Sequence, residues 1–216
     1  MKVLTVANRK GGAGKSTCAA HIAVEAVKNN IKTILIDMDP QKTLEMWWQK
    51  RKEELPALVD ASPENLPQIL MKLADSFDLC IIDTPGDASM NAIVSIKAAD
   101  IVVIPSKPTA PDLTAIGRTI SIVEDNKKPF VFVITQITIR TKTAIQAASV
   151  LSQFGPLAPS SISNRISYAN AMGTGSSATI IDKAALEEIS KIWNFLKSII
   201  FSDQTQHKKK LQMSNM

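Results

Sequence analysis

Three short segments carry residues suited to phosphate chemistry. The first, Lys10-Gly11-Gly12-Ala13-Gly14-Lys15-Ser16-Thr17, follows an apolar run and opens a helical pattern. Glycines let successive backbone N–H groups turn inward around a polyphosphate, and a helix N-terminus adds a favourable dipole. Lys15 is placed to reach the β- and γ-phosphates, and the Ser16 hydroxyl to ligate Mg²⁺. The usual P-loop spacing wants a glycine where Arg9 stands; here a second lysine, Lys10, precedes the glycines. The second segment is Ile36-Asp37-Met38-Asp39-Pro40-Gln41. Alternate strand residues share a face, so Asp37 and Asp39 can point into one cleft. The third, Ile81-Ile82-Asp83-Thr84-Pro85-Gly86, is an apolar strand ending in one acid. Asp83 is suited to holding Mg²⁺ through water, and the Gly86 backbone to approaching a terminal phosphate. That last spacing also fits a guanine-nucleotide site, but Asn126-Lys127-Lys128-Pro129 lacks the acid that guanine selectivity usually brings. ATP is the favoured nucleotide.

These segments need a scaffold that delivers all three to one place. Five short apolar runs recur: Val3–Ala7, Thr33–Ile36, Leu79–Ile82, Ile101–Ile104 and Phe130–Ile134. Their continuous rather than alternating apolarity is that of strands buried on both faces of a parallel sheet. Helical spacing between them gives an α/β fold with a mostly parallel central sheet flanked by helices. The last helix is the clearest: Asp182 as N-cap, then Leu186, Ile189, Trp193, Leu196 and Ile200 as its apolar stripe. Residues 1–201 read as one domain, and 202–216 as a flexible basic tail containing Lys208-Lys209-Lys210. The 216 residues carry 25 Lys+Arg and 20 Asp+Glu, a net +5 that permits an acidic partner without demanding one. Cys18 and Cys80 are too far apart in sequence to suggest a metal pair, and both read as reduced core thiols. No segment resembles a signal peptide or a membrane span, so a cytoplasmic location is expected.

The Lys10–Thr17 segment resembles the deviant Walker A motif of the ParA/MinD family of ATPases, and the chain is most similar to short ParA-type plasmid partition ATPases. Asp39-Pro40-Gln41 followed by Leu44 and Trp47, and the proline-rich Ile104–Asp112, fit that likeness, as does Ile162–Tyr168 followed by Gly173 and Gly175. The resemblance covers about residues 1–200. It implies a three-layer P-loop NTPase fold and an ATP site built from Lys10, Gly11, Gly12, Ala13, Gly14, Lys15, Ser16 and Thr17, with Thr135 and Gln136 near adenine. Catalysis would rest on Lys10, Lys15 and Asp39. Lys10 would reach across a nucleotide-sandwich homodimer to the partner's ATP, and Asp39 would polarise the attacking water. Magnesium would be held at Ser16, Asp37 and Asp83. The proline-rich segment would lie at the nucleotide and dimer interface, though an ordinary rigid loop is equally open.

The resemblance also implies a cycle. ATP drives dimerisation, the dimer binds DNA non-specifically, and a separate centromere-binding or activator protein stimulates hydrolysis and release. Arg140, Lys142, Arg165, Lys183, Lys191 and Lys197 are the DNA-binding candidates; the tail lysines would either add to them or merely solubilise. With the phosphate loop starting at Lys10, no upstream helix-turn-helix domain is expected. When ATP-bound, the protein would associate with the nucleoid. The alternative is a MinD-like membrane-cycling positioning ATPase, which would end in a basic amphipathic helix; stable membrane association is not expected here. Iron–sulfur relatives would need paired cysteines.

Overall fold

The computed structural model describes residues 1–138 and 141–202. Seven strands form one sheet: β1 (Lys2–Val6), β2 (Thr33–Asp37), β3 (Ala57–Leu58), β4 (Leu79–Asp83), β5 (Ile101–Ser106), β6 (Phe130–Ile137) and β7 (Ile162–Ser163). Their order is β3-β2-β4-β1-β5-β6-β7, and every pairing is parallel. The helices are α1 (Lys15–Lys28), α2 (Thr43–Trp48), α3 (Leu66–Leu73), α4 (Met90–Ala98), α5 (Ala110–Asp125), α6 (Lys142–Leu151), α7 (Ile166–Thr174), α8 (Ala178–Ile181) and α9 (Lys183–Ile200). Side chains alternate between two buried faces. Leu4, Val6, Leu79, Ile81 and Val103 pack with α1 and α9. Val102 and Ile104 pack under α5 and α6, and Cys80 and Ile82 under α3 and α4. Burial on both faces removes any reason for polar alternation, which explains the unbroken apolar runs.

All five expected strands are present, with the first running Lys2–Val6 rather than Val3–Ala7. The edge strands β3 and β7, two residues each, were not expected. Asp182 caps α9, accepting from the backbone N–H of Ala184 and Ala185. The apolar stripe of α9 corrects the sequence reading at one end: it runs through Ala185, Ile189, Ile192, Trp193, Leu196 and Ile200, while Leu186 is 37% exposed. Among the described residues, no helix is long and apolar enough to cross a membrane.

Parallel strands align their carboxyl ends, and the sheet register makes this concrete. Asp83 at the end of β4 lies opposite Val6 of β1 on one side and Asp37 of β2 on the other. The loops that follow β1, β2 and β4 therefore emerge side by side. That is where an open α/β sheet binds ligands.

Candidate active site

The loop between β1 and α1 wraps the start of the helix, with Gly12 and Gly14 at φ +72 and +89, a backbone region that glycine adopts without steric cost. Its shape is held from a distance. The Thr135 hydroxyl donates to the Ala13 carbonyl at 2.8 Å, and Gln136 Nε2 to the Gly12 carbonyl at 2.9 Å. Gln136 reaches it because β6 bulges between Thr135 and Ile137, putting Gln136 at φ +52. Asn8 braces the approach to the loop, its Oδ1 accepting from the Lys10 N–H at 2.8 Å while its Nδ2 donates to the Pro105 carbonyl.

In front of the loop is a cleft of about 470 Å³ lined by Gly11, Gly12, Lys15, Ser16, Thr17, Asp39, Pro40, Gln41, Thr43, Pro85, Gly86 and Asp87. The three chemistry-bearing segments thus meet. Lys15 is only 7% exposed; burial lowers its pKa, while Asp83, Asp39 and Asp87 work to keep it charged. Asp83 is fully buried, and neither carboxylate oxygen has a hydrogen-bond partner. Burial pushes its pKa up to about 7; the Ser16 hydroxyl, close by but outside hydrogen-bond geometry, and the Lys15 charge act in the opposite direction. A buried acid with two idle acceptors beside a hydroxyl and an ammonium is incomplete by itself, and a hydrated divalent cation bound to phosphate would complete it. Gly86 closes the cradle. A Cβ there would stand 3.2 Å from both Cα and N of Gly11 and 3.4 Å from Lys15 Nζ. The donor set fits magnesium with a polyphosphate.

The other expected residues are placed as follows. Asp39 is half-buried at the cleft wall, with Oδ1 accepting from Gln41 N–H at 2.9 Å. Both oxygens of Asp37 are engaged, accepting from the N–H of Asp39 and of Glu45; its pKa is raised chiefly by burial. Asp37 therefore shapes the turn that carries Asp39. Lys10 Nζ lies 3.8 Å from Asp112 Oδ2 in the first turn of α5, so within one chain it rests on an acid of the proline-rich segment. Of the basic candidates, Lys142, Lys183 and Lys191 are exposed and Lys197 is half-buried. Arg165 is paired with Glu188 at 2.9 Å and Asp182 at 3.9 Å. Arg140 and the tail lysines lie outside the described residues.

A second recess of about 210 Å³ adjoins the loop, lined by Gly14, Thr17, Thr135, Gln136, Ile162, Ser163, Asn164, Arg165, Tyr168 and Ala169. Its back wall is organised by Glu188 of α9, which accepts from Ser163 N–H and Oγ, from Arg165 and from the Tyr168 hydroxyl at 2.9 Å. Burial and the Glu188 charge push the Tyr168 pKa up. His21 joins this wall to α1. Its Nδ1 lies 2.8 Å from the Thr17 carbonyl, its Nε2 accepts from Ala178 N–H, and its ring meets Tyr168 edge-on at 4.9 Å. Burial lowers the His21 pKa to about 4. Neither Glu188 nor His21 stands out in the sequence, since each acts on partners in remote segments.

A family model described as the CobQ/CobB/MinD/ParA nucleotide binding domain matches residues 4–178, most of the chain. The chain belongs to this family. Among curated members, Protein ParA of Rhizobium radiobacter is 29% identical over 130 residues, 59% of each chain. The maintenance of carboxysome distribution protein A of Halothiobacillus neapolitanus is 28% identical over 204 residues, 88% of this chain and 94% of that one. The chain thus spans under two thirds of the length of the former relative and nearly all of the latter. Two solved structures share the family fold. Apo McdA of Cyanothece gives a TM-score of 0.76 at 22% identity, over 90% of this chain and 98% of that one. A plasmid partition protein of Borrelia burgdorferi bound to AMPPNP gives 0.74 at 20%, over 91% and 99%.

Proposed function

We propose that this chain is a Mg²⁺-dependent ATP hydrolase of the ParA type. In this account ATP pairs two copies into a nucleotide-sandwich dimer that binds DNA without sequence preference, and partner-stimulated hydrolysis to ADP and phosphate releases it. The observation that carries the reading is the buried Asp83, with two idle oxygens, beside Lys15 and Ser16 at the base of a cleft that these two line together with Asp39. Magnesium, when bound, supplies charge neutralisation on the phosphate oxygens. Lys15 binds the terminal phosphates from the cleft floor, and the loop N–H groups hold the chain of phosphates in line. The Asp39 carboxylate orients the attacking water and draws its proton. Gly86 lets backbone close over the terminal phosphate. Lys10 leaves Asp112 on pairing and serves the partner's nucleotide, as an arginine finger would.

The exposed Lys142, Lys183 and Lys191 supply salt-sensitive phosphate contacts, doubled by dimerisation. Arg165, already paired with two acids, serves the recess wall instead. Relatives named ParA, IncC and maintenance of carboxysome distribution protein A support a DNA-borne carrier whose cargo is a plasmid or a protein assembly. The apolar stripe of α9 is packed in the core, which favours this cycle over a MinD-like membrane one. Light scattering tests the switch: monomer mass without nucleotide and with ADP, dimer mass with ATP, and a persistent dimer in Asp39→Ala. Monomer mass in every state would overturn it.

A further inference from the structure

Lys107 lies in the proline-rich segment between β5 and α5, and its ammonium sits over the phosphate loop: a Cβ built on Gly12 would come within 3.5 Å of Lys107 Nζ. The side chain is half-buried, and no described residue forms an ion pair with it. Pro105 and Pro108 flank it; with φ fixed at each, the backbone that presents it has little freedom. α5 begins just beyond, capped by Thr109, whose Oγ1 accepts from Asp112 N–H. A flexible lysine ordinarily extends to water or finds a carboxylate. This one is drawn back over a glycine loop instead.

Its neighbour makes the placement informative. Lys10, the other rim lysine, is held by Asp112, whose Oδ2 also accepts from the Thr109 hydroxyl. In a single chain the charge of Lys10 is therefore offset, which leaves Lys15 on the cleft floor and Lys107 above Gly12 among the cations available to a triphosphate. A nucleoside triphosphate brings several negative charges to this loop, and an ammonium held beside Gly12 is a donor for them. We infer that Lys107 is a further phosphate-binding residue of this site, contacting in cis the terminal phosphates of the nucleotide held by its own loop. This rests on the adenine-nucleotide reading above. It gives the proline-rich segment two duties within one chain, holding Lys10 on Asp112 and lending Lys107 to the nucleotide.

The test is nucleotide affinity. The dissociation constants of a non-hydrolysable ATP analogue, ADP and AMP are measured with Mg²⁺ for wild type, Lys107→Ala and Lys107→Arg. Protein is kept at a concentration where light scattering gives monomer mass. Lys107→Ala is expected to weaken the triphosphate about tenfold, equivalent to about 1.4 kcal/mol, with a smaller loss for ADP and none for AMP. Lys107→Arg should retain most of the affinity, and the alanine effect should shrink at high salt. Circular dichroism and thermal melting check that each variant is folded. Unchanged triphosphate affinity in the alanine variant, or an equal loss for AMP, overturns the inference. Affinity unchanged in monomer but lost when the titration is repeated at a concentration where light scattering gives dimer mass moves the ammonium to the partner's nucleotide and overturns the cis assignment. A wild type that binds none of the three overturns the underlying reading of the site instead.

Discussion

Asp83→Asn should make the metal-free protein more stable and remove most of the stability it gains from Mg²⁺ and nucleotide. In the native chain the Asp83 pKa is raised to about 7 by burial, from an ordinary aspartate value of 3.8. Between those values the folded protein keeps a proton that the unfolded chain has released. The native state binds more protons, so stability falls as pH rises through that window, and the whole penalty is present above pH 7. A gap of about three pH units at about 1.4 kcal/mol each gives about 4 kcal/mol. Asparagine carries no charge and avoids the penalty. Urea unfolding in EDTA should therefore find the variant about 4 kcal/mol more stable at pH 8.5 and close to wild type at pH 4. With Mg²⁺ and a non-hydrolysable ATP analogue at about 100 times its dissociation constant, wild type should gain about 2.7 kcal/mol. The variant should gain little. A variant no more stable than wild type at pH 8.5, or a difference that does not change with pH, would refute the reasoning.

Other substitutions probe the remaining parts. Asp39→Ala should slow steady-state phosphate release by about 100-fold or more while leaving ATP binding intact, whereas Lys15→Ala should abolish binding; titration and phosphate assay separate the two. Gly86→Ala, meeting Gly11 backbone at 3.2 Å, should lower turnover on the order of 10- to 100-fold with little change in melting temperature. His21 stays neutral in the native state down to about pH 4, while the unfolded chain protonates from about 6.5. The unfolded state binds more protons between those values, so stability is lost as pH falls. The advantage of wild type over His21→Gln, measured by urea unfolding, should shrink by about 3 kcal/mol between pH 7 and pH 4.

What the sequence revealed follows from how local each feature is. The phosphate loop is eight consecutive residues, and Asp37, Asp39 and Asp83 sit at the ends of strands whose apolarity is unbroken because both faces are covered. β3 and β7, at two residues each, are too short to show any period. In α9 a repeat read through Leu186 missed Ala185, a small residue that contributes little to a hydrophobic pattern yet lies fully buried at the point where the stripe continues. The braces of the site were hidden for another reason. Gln136 supports Gly12 across 124 residues and His21 meets Ala178 across 157, pairings that only the folded sheet creates. Thr135 and Gln136 were read as adenine contacts; their grip on the loop carbonyls is a separate feature, and that of Gln136 goes with a bulge that no motif announces. Asp37 was read as a residue of the Mg²⁺ surroundings, and the folded chain adds that its oxygens accept from the backbone of Asp39 and Glu45.

The most direct measurement of the central claim is a duplex-DNA titration of the purified protein without nucleotide, with ADP, and with ATP and Mg²⁺, each at low and high salt. The expected result is sequence-independent binding that appears with ATP, is lost with ADP and weakens steeply as salt rises. Equal affinity in all three nucleotide states, or no DNA binding with ATP, would contradict it.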